Sequence, residues 1–305
     1  MIERLRFLTA DLGSGAEPGV LFEDRVHGIG ALLATDGHDA PATMVGLIER
    51  WPDLAARVAD ALGRGSDGGR PLHEVKLLTP LRYPGAFYAA GANYSDHLLE
   101  MTGKPAPPAE GRDPYFFLKA PRATLIGPGD PIPLPRSSQQ LDWELEVAMV
   151  VGREARHVSE ADAMDHVFGF TIVNDVSARD LFDRGEAGHP AFRWDWLGHK
   201  SPAGAAPCGP WITPRAAVPD PGKLSLRLWV DDRLEQDSNT SRLVHGYAAM
   251  VSFLSRATVL YPGDLIATGT PAGVGLPKGR FLRPGQRVRI EVEGLGVLEN
   301  PVVAA

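Results

Sequence analysis

The stretch "LDWELEVAMVVG", residues 141–152, places Asp142, Glu144 and Glu146 two apart in a segment that otherwise reads as a strand. On a strand, residues i, i+2 and i+4 share one face. Three carboxylates therefore crowd one face just before Val147 to Val151, a run that demands burial. Like charges at that spacing repel, and burying them unpaired is costly. Two readings are open: an edge strand with its acids in water, or a buried strand whose acids share a counter-charge. The apolar run favours a central strand. A further acid, Asp175, ends another strand-like run, "GFTIVND", directly after a helix beginning at Ser159. A strand, helix, strand order can bring the two strands side by side. Glu144, Glu146 and Asp175 then form an oxygen-only cluster without His or Cys, which suits Mg²⁺, Mn²⁺ or Ca²⁺ and not zinc. A cation would cancel the repulsion. Few protein ligands would leave open positions for water or substrate, as in catalytic sites.

Arg179 follows Asp175 by four residues, one turn if a helix starts there. It can pair with Asp175 or Asp183, or act as a fork that holds a substrate carboxylate. His97 and Glu100, in "GANYSDHLLEM", stand at i, i+3. The pair is either a surface contact or a carboxylate-oriented imidazole able to activate water. The Pro-rich stretch "MTGKPAPPAEGRDP" after it could be a lid over the metal. The glycine-rich "GTPAGVGLPKG" lacks P-loop spacing, and no GxSxG is present.

The elements that must position these groups are mostly strands. Residues 1 to about 35 read as short strands separated by glycine turns. "GLIERWPDLAARVADALG" has apolar residues at helical spacing and Gly63 as a stop. "GRGSDGGRP", residues 63–71, reads as a linker. "KLSLRLWVDDRLEQD" and "RVRIEVEGLGVLENPV" read as hairpins turning at Asp231-Asp232 and Gly294–Gly296. One helix is expected from Ser159 to near Gly169, another from about Ser241 to Arg256. The expectation is an α+β, β-rich chain with a small N-terminal α/β domain at residues 1–75 and a catalytic domain at 76–305.

With 305 residues, 44% hydrophobic and 23% charged, the chain can bury a sizeable core. A net charge of -7 argues against nucleic acid as a partner. Cys208 is the only cysteine, which excludes an intrachain disulfide and fits a reducing compartment. No signal-like or membrane-spanning run is present, so the expectation is a cytoplasmic protein with no membrane partner.

Taken together, "GANYSDHLLE", "FFLKAP", "DWELEVAMVVG", "FGFTIVNDVSARD", "GHKSPAGAAPCGPW", "DSNTSRLVHG" and "YPGDLIATGTPAGVG" resemble the fumarylacetoacetate hydrolase family, in the family's order, from about residue 80 to residue 300. The resemblance implies a mixed β-sandwich roll, a homodimer, and catabolism of small oxo acids such as those from aromatic degradation. It implies that Glu144, Glu146 and Asp175 hold Mg²⁺ or Mn²⁺, with Ca²⁺ as a possible crystallographic substitute. It also implies that His97 and Glu100 activate water, that Lys200 lies near the substrate, and that Arg179 and Thr270 contact its oxo-acid end. Lys119 falls in a matching motif, either toward substrate or in a structural ion pair. Two departures bear on the substrate: Phe182 stands where many members carry Gln, and "SPAG", Ser201 to Gly204, replaces Ser-Phe-Asp. The aromatic stretch between them is expected to shape the pocket. No match claims Asp142, which is expected beside the ligands or at the surface.

The implied activity is hydrolysis of a C–C bond in a 1,3-dicarbonyl or acylpyruvate-like 2-oxo acid. The same site would serve a decarboxylase, an isomerase or tautomerase, or a hydratase acting on a related 2-oxo or 2-hydroxydienoic acid through an enolate. A metal-containing binder without catalysis would explain Phe182 and "SPAG" but has no use for a water-activating pair.

Overall fold

The computed structural model describes residues 1–13, 15–34, 39–65 and 68–304. Ser66 and Asp67 of the expected linker lie outside the described residues. Three sheets organise the described chain, of 12, five and two strands.

The 12-stranded sheet runs in space from Arg70–Pro71 through Arg25–Gly28, Ala16–Phe22 and Arg6–Asp11 to Ala206–Pro214. It continues through Val167–Asn174, Leu145–Val151 and Leu265–Ala267 to Phe87–Ala90 and Phe116–Leu118. The N-terminal strands thus join the same sheet as the acidic segment, through the pairing of Phe7 with Ile212. The Met44–Gly63 helix covers that end. Thr43 caps it by accepting a hydrogen bond from Gly46 N at 3.1 Å, and Leu47, Ile48, Leu54, Val58 and Leu62 form its buried stripe. Trp51 of this helix meets Phe7 edge-on, with ring centroids 4.6 Å apart.

Every residue of Leu145–Val151 is buried, as expected for a strand covered on both faces. Leu145, Val147, Met149 and Val151 enter one core with Met250 and Leu254 of the Tyr247–Ala257 helix. Ala148 and Val150 enter a second core with Phe7 and Leu47. Glu146 belongs, by alternation, to the face of Ala148 and Val150. The acids therefore sit at the end of a strand that two cores fix in place.

The five-stranded sheet contains both expected hairpins, Ser225–Val230 with Arg233–Asn239 and Arg287–Val292 with Gly296–Ala304. Other expectations need correction. The strand expected over 141–152 breaks at Trp143 and Glu144: Leu141–Asp142 pairs with Ser177–Ala178 in a separate two-stranded sheet. The Ser159 helix stops earlier than Gly169. An α-turn at Glu160–Ala163 and a 3₁₀ turn at Met164–His166 give way to the Val167–Asn174 strand, whose β-branched and aromatic residues belong in the sheet. The later helix begins at Tyr247, after Gly246, and not at Ser241, which lies in a 3₁₀ turn. Among the described residues, no helix is long and apolar enough to cross a membrane.

Candidate metal centre and substrate pocket

Register assembles the three acids. Leu145–Val151 pairs antiparallel with Val167–Asn174, with Glu146 opposite Val173 and Leu145 opposite Asn174. The next step sets Glu144 against Asp175, whose backbone N donates to the Glu144 carbonyl at 2.8 Å. Asn174 Oδ1 accepts from Glu144 N at 3.0 Å and holds the break in the strand. Glu144, Glu146 and Asp175 each offer a carboxylate oxygen within 4.8 Å of the others, and all three are buried. Three oxygen donors converging on one point can hold a divalent cation of the Mg²⁺ or Mn²⁺ kind.

Positive side chains compensate the cluster. Lys200 Nζ donates to Glu144 Oε2 and Asp175 Oδ2, both at 2.7 Å. Lys119 Nζ donates to Asp175 Oδ1 at 2.5 Å and to the Val176 carbonyl at 3.2 Å. Burial alone raises the Glu144 carboxyl, but Lys200 and Arg179 outweigh it and hold it well below the usual range. Glu146 goes the other way: burial, then Asp175 and Glu144, push it well above the usual range. Burial also pulls Lys119 down, with Asp175 opposing, whereas Asp175 and Glu144 outweigh burial at Lys200 and raise it. The cluster is short of cationic charge at Glu146, where a metal ion would supply it. Gly269 N donates to Glu146 Oε2 at 2.7 Å. Gly269 has φ of +96°, and a Cβ there would come within 2.9 Å of Asn93 Cβ, so this approach requires glycine.

Arg179 does not reach Asp175 through a helical turn. Ser177–Ala178 is extended, and a 3₁₀ turn starts only at Arg179. Its Nε donates to Asp142 Oδ2 at 2.8 Å and its Nη2 lies 2.7 Å from Glu144 Oε1. Asp142 is fully buried, so the surface alternative for it is excluded. Its Oδ1 accepts from Gly275 N at 2.7 Å and its Oδ2 from Leu276 N at 3.0 Å.

His97 and Glu100 lie on the Ser95–Thr102 helix, not on the Pro-rich loop that follows it. His97 Nδ1 is 3.4 Å from Glu100 Oε2, and both Glu100 oxygens accept from Gly273 N at 3.0 Å. Burial raises the Glu100 carboxyl, but His97 and Gly273 outweigh it and lower it, so it is an anion facing the imidazole. The helix ends at Gly103 in the left-handed conformation, φ +68°.

His97, Glu144, Arg179, Phe182, Lys200 and Thr270 line one cavity of ≈ 330 Å³. Lys119 is not in its wall: its ammonium lies behind the triad, held by Asp175. Gln236 was not singled out in the sequence. Its Oε1 accepts from Leu145 N at 3.0 Å, and its Nε2 donates to Thr270 Oγ1 and the Pro271 carbonyl, both at 2.9 Å. That leaves the Thr270 hydroxyl proton free to point into the cavity. His199 also lines the cavity, with Nδ1 donating to the Ala178 carbonyl at 3.0 Å. Burial, then Lys200, push the His199 imidazole down to about 3. The only sequence signal for it was its place beside Lys200. Cys208 is buried, and burial pushes its thiol up to about 12, so it is inert.

A buried acidic triad, with Glu144 lining a cavity that His97 shares, makes a candidate metal centre. Residues 86–303 match the model of the fumarylacetoacetate (FAA) hydrolase C-terminal domain, and the chain belongs to that family. It is 39% identical to Rv2993c of Mycobacterium tuberculosis, over 90% of this chain and 97% of that protein. It is 38% identical to the mitochondrial oxaloacetate tautomerase fahd2 of Xenopus laevis, over 75% of this chain and 69% of that protein. Among solved structures, maleylpyruvate hydrolase from Sphingobium sp. SYK-6, in complex with manganese(II) and pyruvate, superposes with a TM-score of 0.76 at 33% identity. That match covers 98% of this chain and 99% of the other.

Proposed function

We propose that this protein is a divalent-metal-dependent hydrolase that cleaves a C–C bond in an acylpyruvate-like 2-oxo acid. The observation that carries the reading is a single cavity shared by His97, Glu144, Arg179, Lys200 and Thr270, with Glu100 behind His97. Glu144, Glu146 and Asp175 would hold Mg²⁺ or Mn²⁺. The maleylpyruvate hydrolase with manganese and pyruvate supports both the ion and a 2-oxo acid at this end. When bound, the ion supplies Lewis-acid polarisation of the substrate's oxo-acid end.

The chain's own residues would do the rest. His97 takes a proton from water, which attacks the acyl carbonyl, and Glu100 holds the imidazole for that task. The C–C bond then breaks. Its electron pair leaves with the pyruvate fragment, which is reprotonated, and the acyl fragment departs as a carboxylic acid. Arg179 and Lys200 set positive charge beside the fragment that becomes anionic, and the Thr270 hydroxyl donates to it.

A second reading, tautomerisation of a 2-oxo acid, is favoured by the oxaloacetate tautomerase relative. Wild-type activity toward an acylpyruvate and toward oxaloacetate separates the two, and His97→Ala tests the base. Hydrolysis of an acylpyruvate followed by ultraviolet absorbance should fall by about 10²–10⁴-fold. A variant that keeps its cleavage rate overturns the role of His97 as the base that activates water. Loss of cleavage in the wild type, with keto–enol exchange of oxaloacetate retained, supports the tautomerase.

A further inference from the structure

The charged lining residues of the cavity, Glu144, Arg179 and Lys200, form one ion-paired cluster. Among the described residues, Arg179 and Lys200 are its only permanently cationic lining residues, and both are committed: Arg179 to Asp142 and Glu144, Lys200 to Glu144 and Asp175. Apart from His97, Thr102, His199 and Thr270, the remaining wall is apolar. Phe182 stacks on Trp194, with centroids 4.8 Å apart and planes at 25°. It also meets Trp196 edge-on at 4.8 Å, and Trp196 stacks on Phe117 at 4.7 Å. Phe117, Phe182 and Trp196 line the cavity together with Leu98 and Met101 of the Ser95–Thr102 helix. Ring contacts on several sides hold these faces in place before any ligand arrives. A second carboxylate placed here would lose its water and find no unpaired cation, which is costly. A flat apolar group would gain burial against the rings.

We infer that the acyl part of the substrate is uncharged and aromatic or branched-apolar, so that the chain takes aroylpyruvate-type acids rather than dicarboxylic ones. The inference rests on the reading above that the triad end binds the 2-oxo acid. It adds that the acyl end is chosen by the ring faces of Phe182 and Trp196, Phe117 lying under the Lys200 ammonium at 5.1 Å from its ring centroid.

Binding separates this specificity from the reaction. The full-length protein, shown to hold Mn²⁺, is titrated by calorimetry with 2-oxo-4-phenylbutanoate and with 2-oxoadipate. Both carry the 2-oxo acid and neither has a 1,3-dicarbonyl to hydrolyse, so only the far end differs. The phenyl ligand should bind at least about tenfold tighter. Phe182→Gln should cut that preference severalfold, with the melting temperature confirming a folded chain. Met101→Arg, at a 41% exposed position that tolerates a cation, should shift the ratio toward 2-oxoadipate. Equal affinities, tighter 2-oxoadipate, or binding of neither ligand to the Mn²⁺ protein would overturn the inference, whether or not acylpyruvates are cleaved. Failure to cleave any acylpyruvate, with the phenyl preference intact, would overturn only the hydrolase reading.

Discussion

Arg179 and Asp142 form a buried pair at 2.8 Å that ties the triad to a distant loop. The guanidinium bridges Asp142 and Glu144, while Asp142 anchors the backbone of Gly275 and Leu276. Arg179 therefore cannot turn toward solvent without leaving the buried Asp142 without its cationic partner, Glu144 keeping Lys200. Asp142→Asn keeps the shape but removes one anion from the bridge. It should destabilise the protein by about 3–5 kcal/mol, because the guanidinium stays buried with half its partners. Urea denaturation checks this; a change below about 1 kcal/mol would mean that the pair is not structural.

Glu146 carries the opposite strain. Burial, then Asp175 and Glu144, raise its pKa in the folded chain, so without metal the folded state holds a proton that the unfolded state has lost. Stability of the metal-free protein should then fall as pH rises from the unfolded value of about 4.3 through the raised one. Mn²⁺ competes with that proton, so its affinity should climb over the same window. Glu146→Gln should raise the melting temperature of the metal-free protein and flatten its pH dependence. It should weaken Mn²⁺ binding by more than the roughly 10–100-fold typical of losing an outer partner. Calorimetry with and without Mn²⁺ reads both signs. A variant less stable without metal would contradict the account.

The triad was legible in the sequence because the apolar run favours a buried strand, and acids that period two places on it then need a counter-charge. Antiparallel register then supplies the third acid, since Glu146 opposite Val173 forces Glu144 against Asp175. What Asp142 does was not legible: its partners at Gly275 and Leu276 lie 133 and 134 residues away, and the strand breaks between it and Glu144. Spacing misled for Arg179, because four residues mean one turn only in a helix, and Ser177–Ala178 is extended. Gln236 sits in an unbroken polar run, Glu235 to Asn239, where nothing marks one amide as buried.

The His97–Glu100 pair depends on Gly273. Its N–H meets both carboxylate oxygens, and its φ of +107° allows the chain to turn there. Glu100→Gln should keep a hydrogen bond to Gly273 but lose the anion that favours an imidazole ready to take a proton. The kcat for acylpyruvate cleavage should fall by about 10–100-fold with KM little changed. An unchanged kcat would remove Glu100 from the proton-handling machinery.

Gln236 satisfies three buried groups at once: Leu145 N, Thr270 Oγ1 and the Pro271 carbonyl. Gln236→Leu leaves Leu145 N without its acceptor and frees Thr270 to rotate. The expected cost is about 1–3 kcal/mol of stability for the stranded N–H. KM for the 2-oxo acid should also rise as Thr270 loses its fixed orientation. Denaturation and steady-state kinetics on one preparation distinguish the effects; full stability with altered KM would assign Gln236 to the pocket alone.

His199 offers a pH test at a cavity-wall group that is not itself an expected metal ligand. Burial, then Lys200, depress its folded pKa to about 3, against about 6.5 in an unfolded chain. Between those values the unfolded chain binds a proton that the folded chain refuses, so His199 makes stability fall as pH drops below about 6.5. His199→Gln removes the titration and can still donate to the Ala178 carbonyl. The wild type should therefore lose more stability than the variant between about pH 7 and pH 5, by up to about 1.4 kcal/mol per unit. Urea midpoints at the two pH values give the slopes. Parallel slopes would mean that His199 is protonated in the folded protein, and the burial argument for a neutral imidazole in the cavity wall would fail.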